Sequence, residues 1–109
     1  MTKIIFKKKD DLFVGFNANG HSGYAEFGKD ILCSAISALV QSTYLGLKKV
    51  LSLDVDFEVN EKKGVFNLAL HDYKNQSAQV LLKTLFESLK DIEIGNEKYM
   101  KVEVYHEVY

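Results

Sequence analysis

The sequence has no proline and no tryptophan, a single cysteine, and a net charge of −1 at pH 7. One cysteine cannot form an internal disulfide, so nothing in the sequence indicates an oxidising compartment. The near-zero net charge gives no basic field for non-specific binding to nucleic acid or an anionic membrane. Because proline is absent, glycines and helix-capping residues must end the helices and strands.

Long hydrophobic runs are also absent. No continuous apolar run approaches the roughly 20 residues that a membrane-spanning helix needs. The N-terminus reaches Lys7 too soon for the apolar core of a signal peptide. We therefore expect a cytoplasmic protein that binds neither a membrane nor nucleic acid directly. With 109 residues, the chain is expected to form a single domain over residues 1–109.

The hydrophobic periodicity predicts seven elements in the order ββαββαβ. Strands are predicted over 2–8, 12–17, 51–59, 65–70 and 99–109. Helices are predicted over 31–50 and 77–89. Hairpins imply antiparallel pairing, and alternating strands imply that one face of the sheet is solvated. We expect an α+β fold, a two-layer sandwich in which a mainly antiparallel sheet carries two helices on one face.

Two glycines inside these elements predict local irregularities. Gly15 lies within the second strand, where it indicates a bulge or a close approach of another backbone. Gly46 lies within the first helix, where it allows close packing or marks an early helix end. The apolar stripe of that helix is predicted to face the core, and it consists of Leu32, Ile36, Leu39, Thr43, Leu47 and Val50. A second, more polar stripe consists of Asp30, Cys33, Ser37, Gln41 and Tyr44.

The segment that joins the second strand to the first helix carries most of the reactive residues. Its loop, from about residue 18 to 29, contains Gly20, Gly23 and Gly28, and we expect it to be mobile. Asp30 is a good helix N-cap, which places Cys33 in the first helical turn. The positive end of the helix dipole favours a thiolate there, and His21 on the loop could take the thiol proton.

Other interpretations of these residues remain open from the sequence alone. A lone cysteine is most often a small buried hydrophobe, and a loop histidine can simply bond a backbone carbonyl. The spacing of Cys33 and the three histidines does not match a zinc site, so no metal and no cofactor are expected. His106 shares a strand face with Val102 and Val104, which predicts a packed histidine.

A longer sequence pattern favours the catalytic interpretation of Cys33 and His21 over a structural one. It consists of Gly20-His21-x-Gly23-Tyr24-Ala25, then Gly28-x-Asp30-Ile31-x-Cys33, then Ser37-Ala38-Leu39. This pattern resembles the signature of the ribosomal-processing cysteine proteases, the Prp family of Firmicutes and related bacteria. The resemblance implies a small cytosolic homodimer that removes a short N-terminal extension from large-subunit ribosomal protein twenty-seven, cutting after a phenylalanine.

The resemblance also assigns roles to individual residues. Cys33 would be the nucleophile and His21 its base, with Asp30 and Ser37 as supporting polar residues. The carboxylate of Asp30 opposes a thiolate at Cys33 unless its charge is used to cap the helix.

Aromatic residues near the site are further candidates. Tyr24, Phe27 and Tyr44 would contact the peptide substrate, although loop anchoring and core packing are alternative roles for them. A different class of function, a non-catalytic ribosome-assembly or ribosomal-protein-binding module, is the alternative to a protease.

Overall fold

The structure is a computed structural model, and it describes residues 1–20, 31–60 and 62–107. The strands are β1 (Thr2–Lys9), β2 (Leu12–Asn19), β3 (Val55–Asn60), β4 (Val65–Leu70) and β5 (Met100–His106). The helices are α1 (Ile31–Leu45), which continues as a π-helical segment (Gly46–Val50), and α2 (Gln76–Glu93). The order ββαββαβ is the one that the sequence predicts.

The five strands form one mixed sheet in the spatial order β3-β4-β2-β1-β5. Strand β1 pairs antiparallel with β2 and parallel with β5, and the other pairs are antiparallel. The β1–β2 hairpin turns through Asp10 and Asp11, whose φ angles of 52° and 65° suit a two-residue type I′ turn. The chain reaches β5 only after α2, which provides the crossover that a parallel neighbour needs.

Both helices lie on one face of the sheet, and the core fills the space between the two layers. Phe86 of α2 makes edge-to-face contacts with Phe6 of β1, with ring centroids 5.2 Å apart. The core is formed by buried apolar residues of both layers, among them Ile4, Phe16, Leu68, Met100, Ile36, Val40, Leu82 and Leu89. The predicted two-layer α+β sandwich is therefore confirmed.

Gly15 lies beside a bulge and also at a close approach between strands. The register of β1 against β2 shifts between Lys7 and Lys8, which leaves Val14 as the extra residue. A Cβ atom on Gly15 would collide with the carbonyl oxygen of Leu68 on the neighbouring strand β4. Both features that the glycine suggested are present, and the lack of a side chain is what allows β4 to pair here.

The first helix changes its hydrogen-bonding pattern at Gly46. The Leu51 N–H donates to the Gly46 carbonyl at 2.9 Å, five residues back, as in a π-helix. The position of a Cβ on Gly46 lies 3.0 Å from Cδ1 of Leu81, so the glycine allows α1 and α2 to pack closely.

The wider π-helical turn breaks the 3.6-residue repeat of the helix. As a result Val50, which was predicted in the core, is 79% exposed. Val40, outside the predicted stripe, is fully buried instead.

The residues after this helix do not form the predicted strand until Val55. The N–H groups of Leu51 and Leu53 donate back to the helix, to Gly46 and Leu47 respectively. Ser52 has a φ of 56°, which is incompatible with an extended strand. The predicted strand over 51–59 is therefore too long at its start, because these donors close the helix rather than pair with β4.

The remaining boundaries shift by a few residues. Strand β2 extends to Asn19, so the start of the predicted loop belongs to the sheet. Helix α2 begins earlier than predicted because the Asn75 side chain accepts from the Ala78 N–H at 2.9 Å and caps it. Strand β5 is shorter than predicted, and His106 at its end is exposed rather than packed.

The C-terminal end of α2 is fixed to the edge of the sheet by Glu93. Its carboxylate accepts from the Val102 N–H of β5 at 2.6 Å and from Lys90 Nζ at 2.9 Å. Burial raises the pKa of Glu93, but these hydrogen bonds and the charges of Lys90 and Lys101 outweigh it, so the pKa lies below its ordinary value. A carboxylate on an edge N–H also stops that part of the strand from pairing with another chain.

Residues 31–50 together form a 20-residue helix whose mean hydropathy reaches 1.2 over 18 residues. By length and composition alone, it is long and apolar enough to cross a membrane, although no continuous apolar run suggested this. Within the fold, Leu32, Ile36, Val40 and Leu47 of this helix are at most 6% exposed and pack into the core. Of the 18-residue window, 28% is buried inside the fold, so one side of this helix faces the core.

Candidate active site

Cys33 lies in the first turn of α1, as the sequence predicts, and its side chain is half-buried. Backbone N–H groups in the first turn of a helix have no partner within the helix, and the helix dipole adds a partial positive charge there. Both features stabilise an anion at this position. Cys33 therefore lies at the positive end of the helix, where backbone N–H groups can stabilise a developing oxyanion.

Thr2 brings the start of β1 against this thiol. Its hydroxyl oxygen lies 3.9 Å from Sγ of Cys33, and the same hydroxyl donates to the Gly20 carbonyl at 3.2 Å. Thr2 is only 4% exposed, and its N–H donates to the Tyr99 carbonyl at 2.8 Å. One threonine thus connects the nucleophile candidate, the end of β2 and the start of β5.

Gly20 occupies a position that only glycine fits. Its φ is +94°, and a Cβ atom would lie 2.5 Å from the carbonyl oxygen of Met1. A side chain would be both strained and obstructed there. Because Gly20 directly precedes His21, the chain segment that carries the histidine starts next to Thr2, which also contacts Cys33.

Six of the predicted site residues lie outside the described residues. They are His21, Gly23, Tyr24, Phe27, Gly28 and Asp30. The His21–Cys33 dyad, the mobile loop and the helix cap at Asp30 therefore stay predictions.

Ser37 lies one turn beyond Cys33 on the same stripe of α1. Its hydroxyl oxygen accepts from Nε2 of Gln41 at 2.8 Å, which links the next two turns of the stripe. A serine hydroxyl that accepts one bond still has its own proton to donate. Ser37 is thus oriented by Gln41 and keeps the capacity to support a polar group near the helix start.

Tyr44 continues the same stripe but has a packing role in this structure. Its ring stacks on Phe57 of the edge strand β3, with centroids 4.2 Å apart and planes 15° apart. It follows Cys33 by eleven residues, which is about 16 Å along a helix axis. The stacking supports the alternative interpretation of Tyr44, core packing, over direct contact near the scissile bond.

Thr2 is the neighbour of Cys33 that sequence reasoning did not identify. A signal for it exists in β1, where Thr2, Ile4 and Phe6 alternate on the face that packs against the helices. A polar residue at a buried position of such a strand requires a hydrogen-bond partner. The pattern alone does not say which partner that is.

A concave region is lined by Gly15, Asp56 and Ala69 of the sheet and extends to Tyr44 and Lys48 of the first helix. Its polar side chains bond one another across the strands. His71 Nε2 lies 2.8 Å from Asp56 Oδ2, and Asn67 donates to Glu58 at 3.0 Å. These bonds indicate a cross-strand polar ladder that stabilises the sheet.

No group of three or more histidine, cysteine, aspartate or glutamate side chains that could hold a metal ion is found over residues 1–20, 31–60 and 62–107.

Comparisons with known proteins agree with the fold. The family model described as cysteine protease Prp matches residues 1–101. The ribosomal processing cysteine protease Prp of Staphylococcus aureus is 31% identical over 75 residues, which are 69% of this chain and 71% of that protein. Its counterpart in Bacillus subtilis is 26% identical over 102 residues, 90% of this chain and 91% of that protein.

A crystal structure shows the same fold. It is that of the essential ribosomal processing protease Prp from S. aureus in complex with a covalently linked product peptide. It superposes with a TM-score of 0.90 at 24% identity, and covers 96% of this chain and 100% of that one. With the family model matching nearly the whole sequence, the chain belongs to the cysteine protease Prp family and is a cysteine protease.

Proposed function

We propose that this protease removes a short N-terminal extension from large-subunit ribosomal protein twenty-seven, cutting after a phenylalanine. The observation that carries the proposal is the position of Cys33, half-buried in the first turn of α1 and 3.9 Å from a hydroxyl that also bonds Gly20. The relatives from S. aureus and B. subtilis are named as ribosomal processing proteases, which supports a ribosomal-protein substrate.

The reaction uses Cys33 as nucleophile and His21 as base. His21 takes the thiol proton, and the Cys33 sulfur attacks the scissile carbonyl carbon to form a tetrahedral intermediate. Backbone N–H groups at the start of α1 stabilise its oxyanion. The imidazolium then protonates the leaving amine, and water hydrolyses the thioester with His21 again as base.

Two polar residues support this dyad. Asp30 precedes α1 and caps its free N–H groups, which spreads the carboxylate charge that would otherwise oppose the thiolate. Ser37 lies one turn beyond Cys33, oriented by Gln41, and donates its hydroxyl proton towards the site. Tyr24 and Phe27 contact the aromatic side chain of the peptide, while Tyr44 packs against Phe57 and stabilises the helix that carries Cys33.

The cellular setting follows from the same substrate. The protein acts in the cytoplasm, where ribosomal proteins are made, as a homodimer. Neither a cofactor nor a metal enters the reaction, since the thiolate supplies the nucleophile and the helix start supplies the electrostatic stabilisation.

The decisive experiment is cleavage of a synthetic peptide that spans the extension and the first residues of the mature ribosomal protein. The wild type should cut it once, after the phenylalanine, and Cys33→Ala should not cut it. Ser34→Ala is the matched control, because Ser34 is exposed in the same helical turn. A peptide with alanine in place of that phenylalanine should be cut far more slowly.

More than a few per cent of wild-type activity in Cys33→Ala would refute the nucleophile assignment. Equal cleavage of the phenylalanine and alanine peptides would refute aromatic selection. Tight binding of the peptide without any cleavage by the wild type would instead favour the non-catalytic binding module.

A further inference from the structure

The hydroxyl group of Thr2 has two neighbours that compete for one proton. It donates to the Gly20 carbonyl at 3.2 Å, and it lies 3.9 Å from Sγ of Cys33. A threonine hydroxyl has one proton to donate and two lone pairs that accept. While the proton is directed at Gly20, Thr2 can only accept from the thiol S–H.

The ionisation of Cys33 changes this arrangement. A thiolate has no proton, so the contact can persist as a hydrogen bond only if Thr2 becomes the donor. Hydrogen bonds to an ionised group are about twice as strong as neutral ones. The hydroxyl of Thr2 is buried at 4% exposure, so few water molecules compete for its proton.

We propose that Thr2 is a positioning residue whose hydroxyl group stabilises the thiolate of Cys33. In the thiol form, Thr2 donates to the Gly20 carbonyl. In the thiolate form, its hydroxyl group rotates to donate to the sulfur, 3.9 Å away, and releases the Gly20 carbonyl.

The protons balance throughout this step. The Cys33 thiol proton passes to His21, and Thr2 keeps its own proton and changes only the acceptor. The oxygen–hydrogen bond of Thr2 does not break, and no other reactant is required.

This inference rests on the proposed nucleophile and base, but a readout without peptide can test it. Iodoacetamide alkylates the thiolate of Cys33, the only cysteine in the chain, and the product is measured by intact mass. The alkylation rate against pH reports the stability of the thiolate, whatever the peptide substrate is.

Three variants separate the hydroxyl from the shape of the residue. Thr2→Val keeps the branched shape and removes the hydroxyl, and Thr2→Ser keeps the hydroxyl. Thr43→Val is the matched control on α1, because Thr43 is 8% exposed and its hydroxyl also donates to a carbonyl, that of Leu39 at 2.9 Å. Thermal unfolding checks that each variant is folded, and Thr2→Ala replaces Thr2→Val if the valine variant is not.

Thr2→Val should lower the alkylation rate at pH 7 roughly tenfold and move the half-maximal pH upward by about one unit, because a charged hydrogen bond is lost. For the peptide, kcat should fall by a similar factor with little change in KM, since Thr2 acts on the nucleophile. Thr2→Ser should restore both values, and Thr43→Val should match the wild type.

Alkylation profiles of Thr2→Val and wild type that coincide would overturn the proposal, as would a Thr2→Ser variant as impaired as Thr2→Val. A failure of the proposed function looks different. In that case the wild type leaves the ribosomal peptide uncut, while the alkylation profiles still report whether the Thr2 hydroxyl stabilises the Cys33 thiolate.

Discussion

The side chain of Gln79 in α2 forms hydrogen bonds with both the N–H and the carbonyl group of Phe13 in β2. Its Nε2 donates to the Phe13 carbonyl at 2.8 Å, and its Oε1 accepts from the Phe13 N–H at 2.9 Å. Nε2 also donates to the carbonyl of Tyr73 at 2.7 Å. Phe13 lies beyond the part of β2 that pairs with β4, so a buried side chain takes the place of a neighbouring strand.

We expect Gln79→Leu to destabilise the protein by about 2–4 kcal/mol, because it leaves the two backbone groups of Phe13 buried without partners. Urea denaturation measures the loss as a lower midpoint. Gln76→Leu is the matched control, since Gln76 is exposed on the same helix and should change stability little. Equal effects of the two substitutions would show that the bonds to Phe13 contribute nothing specific.

Gly15→Ala and Gly46→Ala should have very different effects on stability. A Cβ at Gly15 meets backbone, the Leu68 carbonyl, so β2 and β4 must separate, and we expect a loss of more than about 3 kcal/mol. A Cβ at Gly46 meets the end of a flexible side chain, that of Leu81 at 3.0 Å. The gain in helix propensity, about 1 kcal/mol, offsets much of that crowding.

Thermal unfolding of the two alanine variants distinguishes these cases. The Gly15 variant should unfold well below the wild type, and the Gly46 variant close to it. If the Gly46 variant unfolded at the lower temperature of the two, the Leu81 side chain would be unable to move aside for the added methyl group.

The ion pair and hydrogen bonds of Glu93 predict a pH dependence of stability. Its pKa is lower in the folded state than the ordinary 4.5. The stabilisation is therefore fully present above about pH 4.5, and it is lost as the pH falls through the lower folded-state pKa. Glu93→Gln should thus be less stable than the wild type at pH 7, with a difference that shrinks towards pH 3.

Glu87→Gln provides the control, because Glu87 is exposed on the same helix. Melting temperatures of the three proteins at pH 7 and pH 3 test the prediction. A difference between wild type and Glu93→Gln that stays constant over this range would mean that the carboxylate charge is not responsible for it.

His21→Ala should nearly eliminate peptide cleavage and slow the alkylation of Cys33 at neutral pH. The imidazole is needed twice, first to take the thiol proton and then to protonate the leaving amine. His106→Ala is the control, because His106 is exposed at the end of β5. Cleavage by His21→Ala at the wild-type rate between pH 6 and 9 would exclude His21 as the base.

Much of the fold could be predicted because it depends on local patterns. Strand β4 was predicted with its observed bounds, as the hairpin partner that follows the turn at residues 60–64. The segment 51–54 alternates apolar and polar residues as a strand does, yet two of its N–H groups bond back to the helix. Periodicity does not reveal such a competition between partners, nor does it reveal the π-helical turn that exposes Val50.

The site was predictable where it depends on one short segment. The glycine pattern and the helix start led to Cys33 directly, because neighbouring residues in sequence fix that geometry. Thr2 was missed because it is brought to Cys33 by the sheet, across 31 residues of sequence. Contacts of this kind depend on strand order, which hydrophobic patterns do not specify.

The parallel pairing of β1 with β5 has a consequence for the order of folding. Thr2 lies opposite Met100 in this pair, so the contact closes a loop of almost the entire described chain. Pairings between residues so far apart in sequence form slowly, because the entropy of loop closure opposes them. During synthesis, the strand that holds Thr2 against Cys33 is made long before its neighbour β5. The hydrogen bond from the Thr2 N–H to the Tyr99 carbonyl, at the start of β5, is therefore among the last to fix the position of Thr2 beside Cys33.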